Sequence, residues 1–350
     1  MSTNDFEERR NKILGTIIEA YIDTAMPVGS ESISRAMRQV LSSATIRNIM
    51  AELEEGGLLE QPHTSAGRVP TDQGYRLYVD SLMESRRLSS EELRELTKRV
   101  MASAQQLEGV FERAGTTLAE LSHEVAFVVV PTVKHSTVRQ IELMPLGVRK
   151  LLCVFVAQEA IIASHVVEIE EPMTRDEAVA LAQFLNQELS GLPIQELLDS
   201  LERRLLAVND SFYYLLKRSV TILQMALATE PEERFLVEGA AYLFEQPEFR
   251  RNPLKAYRLL QQLESGHELL ALIRTDLISG DRAVRIGREV QVTGLEDFSY
   301  ILVPFGTGQG IVGGVGVLGP KRMDYRRVCA LVEATAALVT DTLKQWERQG

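Results

Sequence analysis

Residues 42–55 read SSATIRNIMAELEE, and Gly56-Gly57 follow at once. Ile46, Ile49, Met50 and Leu53 recur at i, i+3, i+4 and i+7, the spacing that lines one face of an α-helix with apolar side chains. Ser42 or Ser43 supplies the N-cap, and the glycine pair supplies a left-handed stop. With that face committed to a core, the opposite one carries Ala44, Asn48 and Ala51, flanked by Thr45, Arg47 and Glu52. Its first half is therefore small and polar, with one guanidinium and one amide. An arginine fork matches O6 and N7 of guanine, an amide matches adenine, and short side chains let the backbone approach a duplex. The free N–H groups of the helix start favour a phosphate.

Upstream, a helix over about residues 6–25 buries Ile13, Leu14, Ile17, Ile18, Tyr21 and Ile22, and Pro27 and Gly29 end it. Ser30 can cap a second helix carrying Ile33, Ala36 and Met37. Residues 38–41 leave room only for a turn, which gives helix-turn-helix geometry. Downstream, Leu58-Leu59 reads as a short strand and residues 60–70, EQPHTSAGRVP, as a loop with the character of a wing. Thr64, Ser65, the flexible Gly67 and Arg68 suit phosphate or minor-groove contact. An ordinary hairpin tip fits the same residues. Thr71 can cap a fourth helix with Tyr75, Tyr78, Val79 and Leu82 on one face. Residues 1–87 thus read as a winged helix-turn-helix unit.

Charge favours this only locally. The 350-residue chain has a formal net charge of −11, so bulk charge draws it to neither nucleic acid nor membrane. Within 32–51, however, stand Arg35, Arg38 and Arg47 and no acid, while Glu52, Glu54 and Glu55 gather at the far end of the helix. A plain helical bundle with solvated arginines satisfies the same spacing.

The remainder is mixed. Residues 88–123 read as a long spacer helix packed on its own chain, because Ser103 and Thr117 spoil a coiled-coil seam. Strands are expected in EVAFVVVP, TVRQIELM, RKLLCVFVA and AIIASHVVEI between 124 and 169, helices over 174–228, and strands again in RAVRI, EVQV, FSYILVPF and GIVGGVGVLG from 282. A final amphipathic helix runs from about Tyr325 to Trp346. The chain is therefore α+β. The helices between the strand-rich stretches fit an insertion or a domain of their own. Leu215, Leu216, Val220, Leu223 and Leu227 fit a core face or, in part, a dimer seam.

Other chemistries find little support. Gly308 to Gly313 satisfies G-x-G-x-x-G, but alternating glycine and valine follow, a strand rather than the helix a dinucleotide needs. The five histidines lack metal-ligand spacing, and the two cysteines sit in apolar segments as buried thiols. No metal, cofactor or catalytic set is expected. The longest apolar run, Leu151 to Ala157, is far short of the ~20 residues that span a bilayer. The first dozen residues mix acids and bases with no apolar segment after them, so the cytoplasm is the expected compartment.

The run SSATIRNIMAELEEGGLLEQPHTSAGRVPTDQGYRLYVD (42–80) and GPKRMDY (319–325) resemble the HrcA family of heat-inducible transcription repressors, and the resemblance extends over essentially the whole chain. The family reads G-P-T-R-M-D-Y at the second motif, and Lys321 replaces its threonine. The resemblance implies an N-terminal winged helix-turn-helix (1–87), a linker helix (88–123), a GAF-like α+β domain (124–134 and 230–350), and an inserted α+β dimerisation domain (135–229). It also implies repression of chaperone operons by a homodimer on an inverted-repeat operator called CIRCE. The GroE chaperonin would keep the repressor active, and heat would relieve it. On this reading the DNA-binding residues are Ser30, Ser43, Thr45, Arg47, Asn48, Thr64, Ser65 and Arg68. Arg47 and Asn48 read bases, Thr45 and Ser43 position the helix, and Arg68 with Thr64 and Ser65 anchors the wing. The competing expectation is a metabolite-responsive regulator, with the same DNA-binding head and a small molecule in the GAF-like domain.

Overall fold

A computed structural model describes residues 3–38, 40–63, 66–84, 86–103, 107–130, 132, 137–157, 162–188, 194–207, 212–228, 234–265, 267–307 and 310–349. The chain begins with α1 (Thr3–Thr24), α2 (Ser30–Ala36) and α3 (Ser43–Glu55). Strands β1 (Leu59–Glu60) and β2 (Val69–Pro70) pair antiparallel, and α4 (Asp72–Leu77) follows. The apolar face of α3 is buried as its periodicity requires. Ile46, Ile49, Met50 and Leu53 share a core with Ile13, Leu14, Ile17 and Ile18 of α1. The first helix stops earlier than its proline suggests, because Ala25 takes the left-handed conformation (φ 52°) and donates its N–H to the Tyr21 carbonyl.

The stretch expected to be one spacer helix is two, α5 (Ser90–Val100) and α6 (Leu107–Ser122), with a short 3₁₀ turn from Met101 between them. The expected packing against the same chain is present. Leu96, Val100, Val110, Phe111, Ala114 and Leu118 join the core that also holds α1 and α3. Strand β3 (Val125–Val130) then enters a sheet, and the chain leaves it through β4 (Val138–Pro145), β5 (Lys150–Ala157) and β6 (Ile162–Glu168). These three form their own antiparallel sheet. Helices α7 (Arg175–Glu188), α8 (Ile194–Ala207) and α9 (Phe212–Ala228) pack with it around a separate core. Leu216, Val220, Leu223 and Leu227 of α9 lie in that core, and Leu215 is partly buried against it.

Strand β7 (Arg234–Glu238) returns to the first sheet and pairs with β3 itself, so residues 138–228 are inserted between two neighbouring strands. After α10 (Pro247–Arg251), α11 (Pro253–Ser265) and α12 (His267–Ser279) come β8 (Ala283–Ile286), β9 (Phe298–Thr307), β10 (Gly310–Pro320) and α13 (Tyr325–Gln349). The larger sheet runs β7-β3-β10-β9-β8, antiparallel throughout. Helices α6 and α13 cover one face, and α10, α11 and α12 cover the other, a GAF-like α+β arrangement.

The expected strand EVQV is absent. Residues Gly287–Val290 form a 3₁₀ turn, and Gln291 is left-handed at φ 53°. The Glu289 carboxylate is held by the Ile286 N–H at 3.0 Å, which curls the chain away from the sheet. The glycines of β10 do lie in a strand. A side chain at Gly316 would meet the Phe127 ring at 2.3 Å, so only glycine lets that ring lie flat on the sheet. Burial pushes the Cys153 thiol up to about 12 and the Cys329 thiol to about 11, which leaves both unreactive near neutrality.

Candidate nucleic-acid interface

Helix α3 is built from its start. Ser42 is the N-cap, and its hydroxyl accepts the Thr45 N–H at 3.1 Å and lies 2.9 Å from the Thr45 hydroxyl. The glycine pair ends the helix, with Gly57 left-handed at φ 73°. Ala44, Thr45, Arg47, Asn48 and Ala51 are all exposed, on the side away from the α1 core. Arg35 and Arg38 are exposed as well, and among the described residues neither they nor Arg47 meets a carboxylate. Two exposed guanidinium groups on α2 and the turn after it thus precede a helix face with short side chains and a third, Arg47, the chemistry that suits phosphate and base edges.

Two assigned residues have other duties. Ser30 is not the cap of α2. Gly29 holds that position, and Ser30 is buried in the first turn, its hydroxyl 2.9 Å from that of Ser43. The pair ties the N-terminus of α3 to that of α2. Ser43 is half-buried beside it.

Arg68 is the second. Its N–H and carbonyl exchange 2.9 Å bonds with Val28, and its side chain reaches back to Glu54 of α3 at 2.8 Å. A side chain at Gly67 would strike the Val28 backbone at 2.4 Å, so glycine serves close approach here rather than flexibility. The Gln61 amide donates to the Ala66 carbonyl at 3.0 Å and narrows the loop. Thr64 and Ser65 lie outside the described residues. The sequence reading missed Ser42 as the sole cap and Glu54 as the partner of Arg68. The first was legible as one of two serines, and the second carried no local signal.

A helix-turn-helix followed by a two-stranded wing and carried on a GAF-like body defines a winged-helix transcriptional regulator. Residues 108–329 match the family described as HrcA protein C terminal domain. The chain belongs to the HrcA family. It is 34% identical over 340 residues to the heat-inducible transcription repressor HrcA of Geobacter sulfurreducens, covering 97% of this chain and 99% of that one. It is 35% identical to the HrcA of Chlorobium phaeobacteroides (strain BS1), covering 98% and 100%. A crystal structure described as that of a hypothetical protein at 2.2 Å resolution superposes with a TM-score of 0.61 at 25% identity, over 96% of this chain and 98% of the other. Among the described residues no helix is long and apolar enough to cross a membrane, and no group of three His, Cys, Asp or Glu could hold a metal.

Proposed function

We propose that this chain is a sequence-specific repressor of heat-shock chaperone operons that acts as a homodimer on the inverted-repeat CIRCE operator. The observation that carries the reading is the outward face of α3, where Arg47 and Asn48 are exposed with no acid on the first half of the helix. Arg47 and Asn48 contact base edges. Thr45 and Ser43 fix the helix, and Ser30 fixes Ser43. Thr64 and Ser65 of the wing meet the phosphates, and Arg68 anchors the wing through Glu54. Occupancy of the operator blocks transcription, and no catalytic step is required.

A two-fold operator asks for two copies. The outer face of the β4-β5-β6 sheet offers the surface for a second copy. Met144 and Val166 are exposed there, and Leu152 and Val154 on the central strand are only half-buried, opposite the face that α7 and α9 cover. Relief by heat and support by the GroE chaperonin follow from family membership, and they require only a dimer or fold that a few kcal/mol can shift.

Footprinting of the purified chain on DNA upstream of its own gene and of chaperonin genes tests the reading. Protection of an inverted repeat, strengthened by added chaperonin and lost on heating, is the expected result. A chain that protects no inverted repeat there overturns it.

A further inference from the structure

The motif GPKRMDY lies at the other end of the sequence from the DNA-binding unit, and the interface function does not use it. Its residues join the two. The Arg322 guanidinium is 14% exposed and grips three residues at once. It donates to the Ile22 carbonyl at 2.7 Å, to Glu248 at 2.6 and 3.2 Å and to Gln246 at 2.9 Å. Ile22 lies in the last turn of α1, whose carbonyls lack helical partners and carry the negative end of the helix dipole. A planar fork with five donors satisfies such a site, and a lysine could not.

The neighbours reinforce the joint. Lys321 pairs with Asp72 of α4 at 2.7 Å, so the residue that departs from the family pattern acquires a partner in the DNA-binding unit. Arg326 pairs with Glu19 of α1 at 2.6 Å. The Tyr325 ring packs against Tyr75 with centroids 5.9 Å apart. One apolar core runs from Ile46 through Tyr75 to Met323 and Tyr325. The DNA-binding unit is thus seated against the body on α1 and α4, while the exposed face of α3 points elsewhere.

We infer that Arg322 is a specificity-determining residue for operator geometry: by locking α1 to the body it fixes where α3 stands, so that the dimer selects the spacing between half-sites. The inference rests on the reading of the chain as a dimeric repressor. Each added base pair moves a half-site by ~3.4 Å and turns it by about a tenth of a helical turn. A rigid seat cannot follow that displacement, whereas a loosened one can swing α3 to meet it.

The test compares full-length wild-type protein with Arg322→Gln, Arg322→Lys and Glu248→Gln variants. Affinity is measured at matched salt on a single half-site and on duplexes whose two half-sites are separated by the natural spacer or by one or two base pairs more or fewer. Distances between spin labels on Glu31→Cys and Thr275→Cys are measured in parallel, with labelled chain diluted in unlabelled chain. Wild-type protein should lose about tenfold or more in affinity when the spacer changes by two base pairs, and its label distances should form one narrow distribution. Arg322→Gln should lose less than about threefold on the same change, with a broadened distribution and a half-site affinity within about twofold of wild type. Arg322→Lys should fall between. Glu248→Gln removes the fork's carboxylate partner and should shift both readouts in the same direction, which preserves the test if Arg322→Gln does not fold. Folded variants that keep wild-type spacer discrimination, or a narrow distribution, overturn the role of Arg322 alone. Wild-type protein that binds two half-sites no better than one overturns the dimeric-repressor reading and the spacing role together.

Discussion

The Arg68 guanidinium stands 2.8 Å from a carboxylate oxygen of Glu54 and so bonds the base of the wing to the last turn of α3. Both side chains are partly exposed, and such a pair contributes at most ~1 kcal/mol to stability. Its larger effect is to occupy a cation that phosphate could otherwise use. Glu54→Gln should release Arg68, tighten binding to all sequences alike and steepen the dependence of log Kd on log salt by up to about one unit. Arg68→Ala should leave that slope close to the wild-type value. Titrations across a salt series check both, and a flatter slope in Arg68→Ala would show that the guanidinium already contacts phosphate.

Arg47 and Asn48 are the residues free to read bases. Arg47→Ala and Asn48→Ala should each weaken operator binding by about 1–3 kcal/mol and relax base choice at one position. Non-specific binding should change far less in Asn48→Ala than in Arg47→Ala, since only the latter removes a charge. Competition against operators substituted one base pair at a time measures this.

Ser42 is the N-cap of α3, its hydroxyl accepting the Thr45 N–H. Ser42→Ala should cost about 0.5–2 kcal/mol of stability, the usual value of an N-cap. It should also weaken operator binding, because Thr45 loses the hydroxyl beside it. Denaturant unfolding and operator titration of one preparation separate the two effects.

Glu124 gives a signed dependence on pH. Burial pushes its carboxyl well above the usual carboxylate range, and the Arg322 guanidinium opposes this without cancelling it. One of its oxygens is buried without a hydrogen-bond partner. A carboxyl whose native pKa is raised favours the folded state fully below its unfolded value of about 4.3 and loses that contribution as pH climbs toward the native value. Parent and Glu124→Gln should therefore melt at similar temperatures near pH 4, and the variant should become the more stable as pH rises to 8. Melting curves across that range check it, and a difference that does not change with pH would place a charged Glu124 in the fold.

What could be read from the sequence followed from how local the physics is. The helices, their caps and the apolar face of α3 depend on residues three or four apart, and the structure returns Ile46, Ile49, Met50 and Leu53 to the core with Arg47 and Asn48 outside. The strands around Cys153 and along β10 were legible for the same reason. Strand β7 and helices α10 to α12 were not read, although Pro247 and Pro253 stand at the first positions of α10 and α11, where proline favours a helix start. The run EVQV reads as strand by residue type, but Glu289 caps the Ile286 N–H and Gly287 and Gln291 take positive φ, which makes a turn there.

The sequence by itself determined that a short-side-chained helix face, free of acids over its first half, exists and which residues stand on it, because an α-helix repeats every 3.6 residues whatever surrounds it. Tertiary structure alone decided what each polar group meets. Ser30 met Ser43 thirteen residues on, Arg68 met Glu54 fourteen residues back, and Arg322 met Ile22 across 300 residues. Long-range pairs of this kind are set by how whole elements pack, and no periodicity along the chain encodes them.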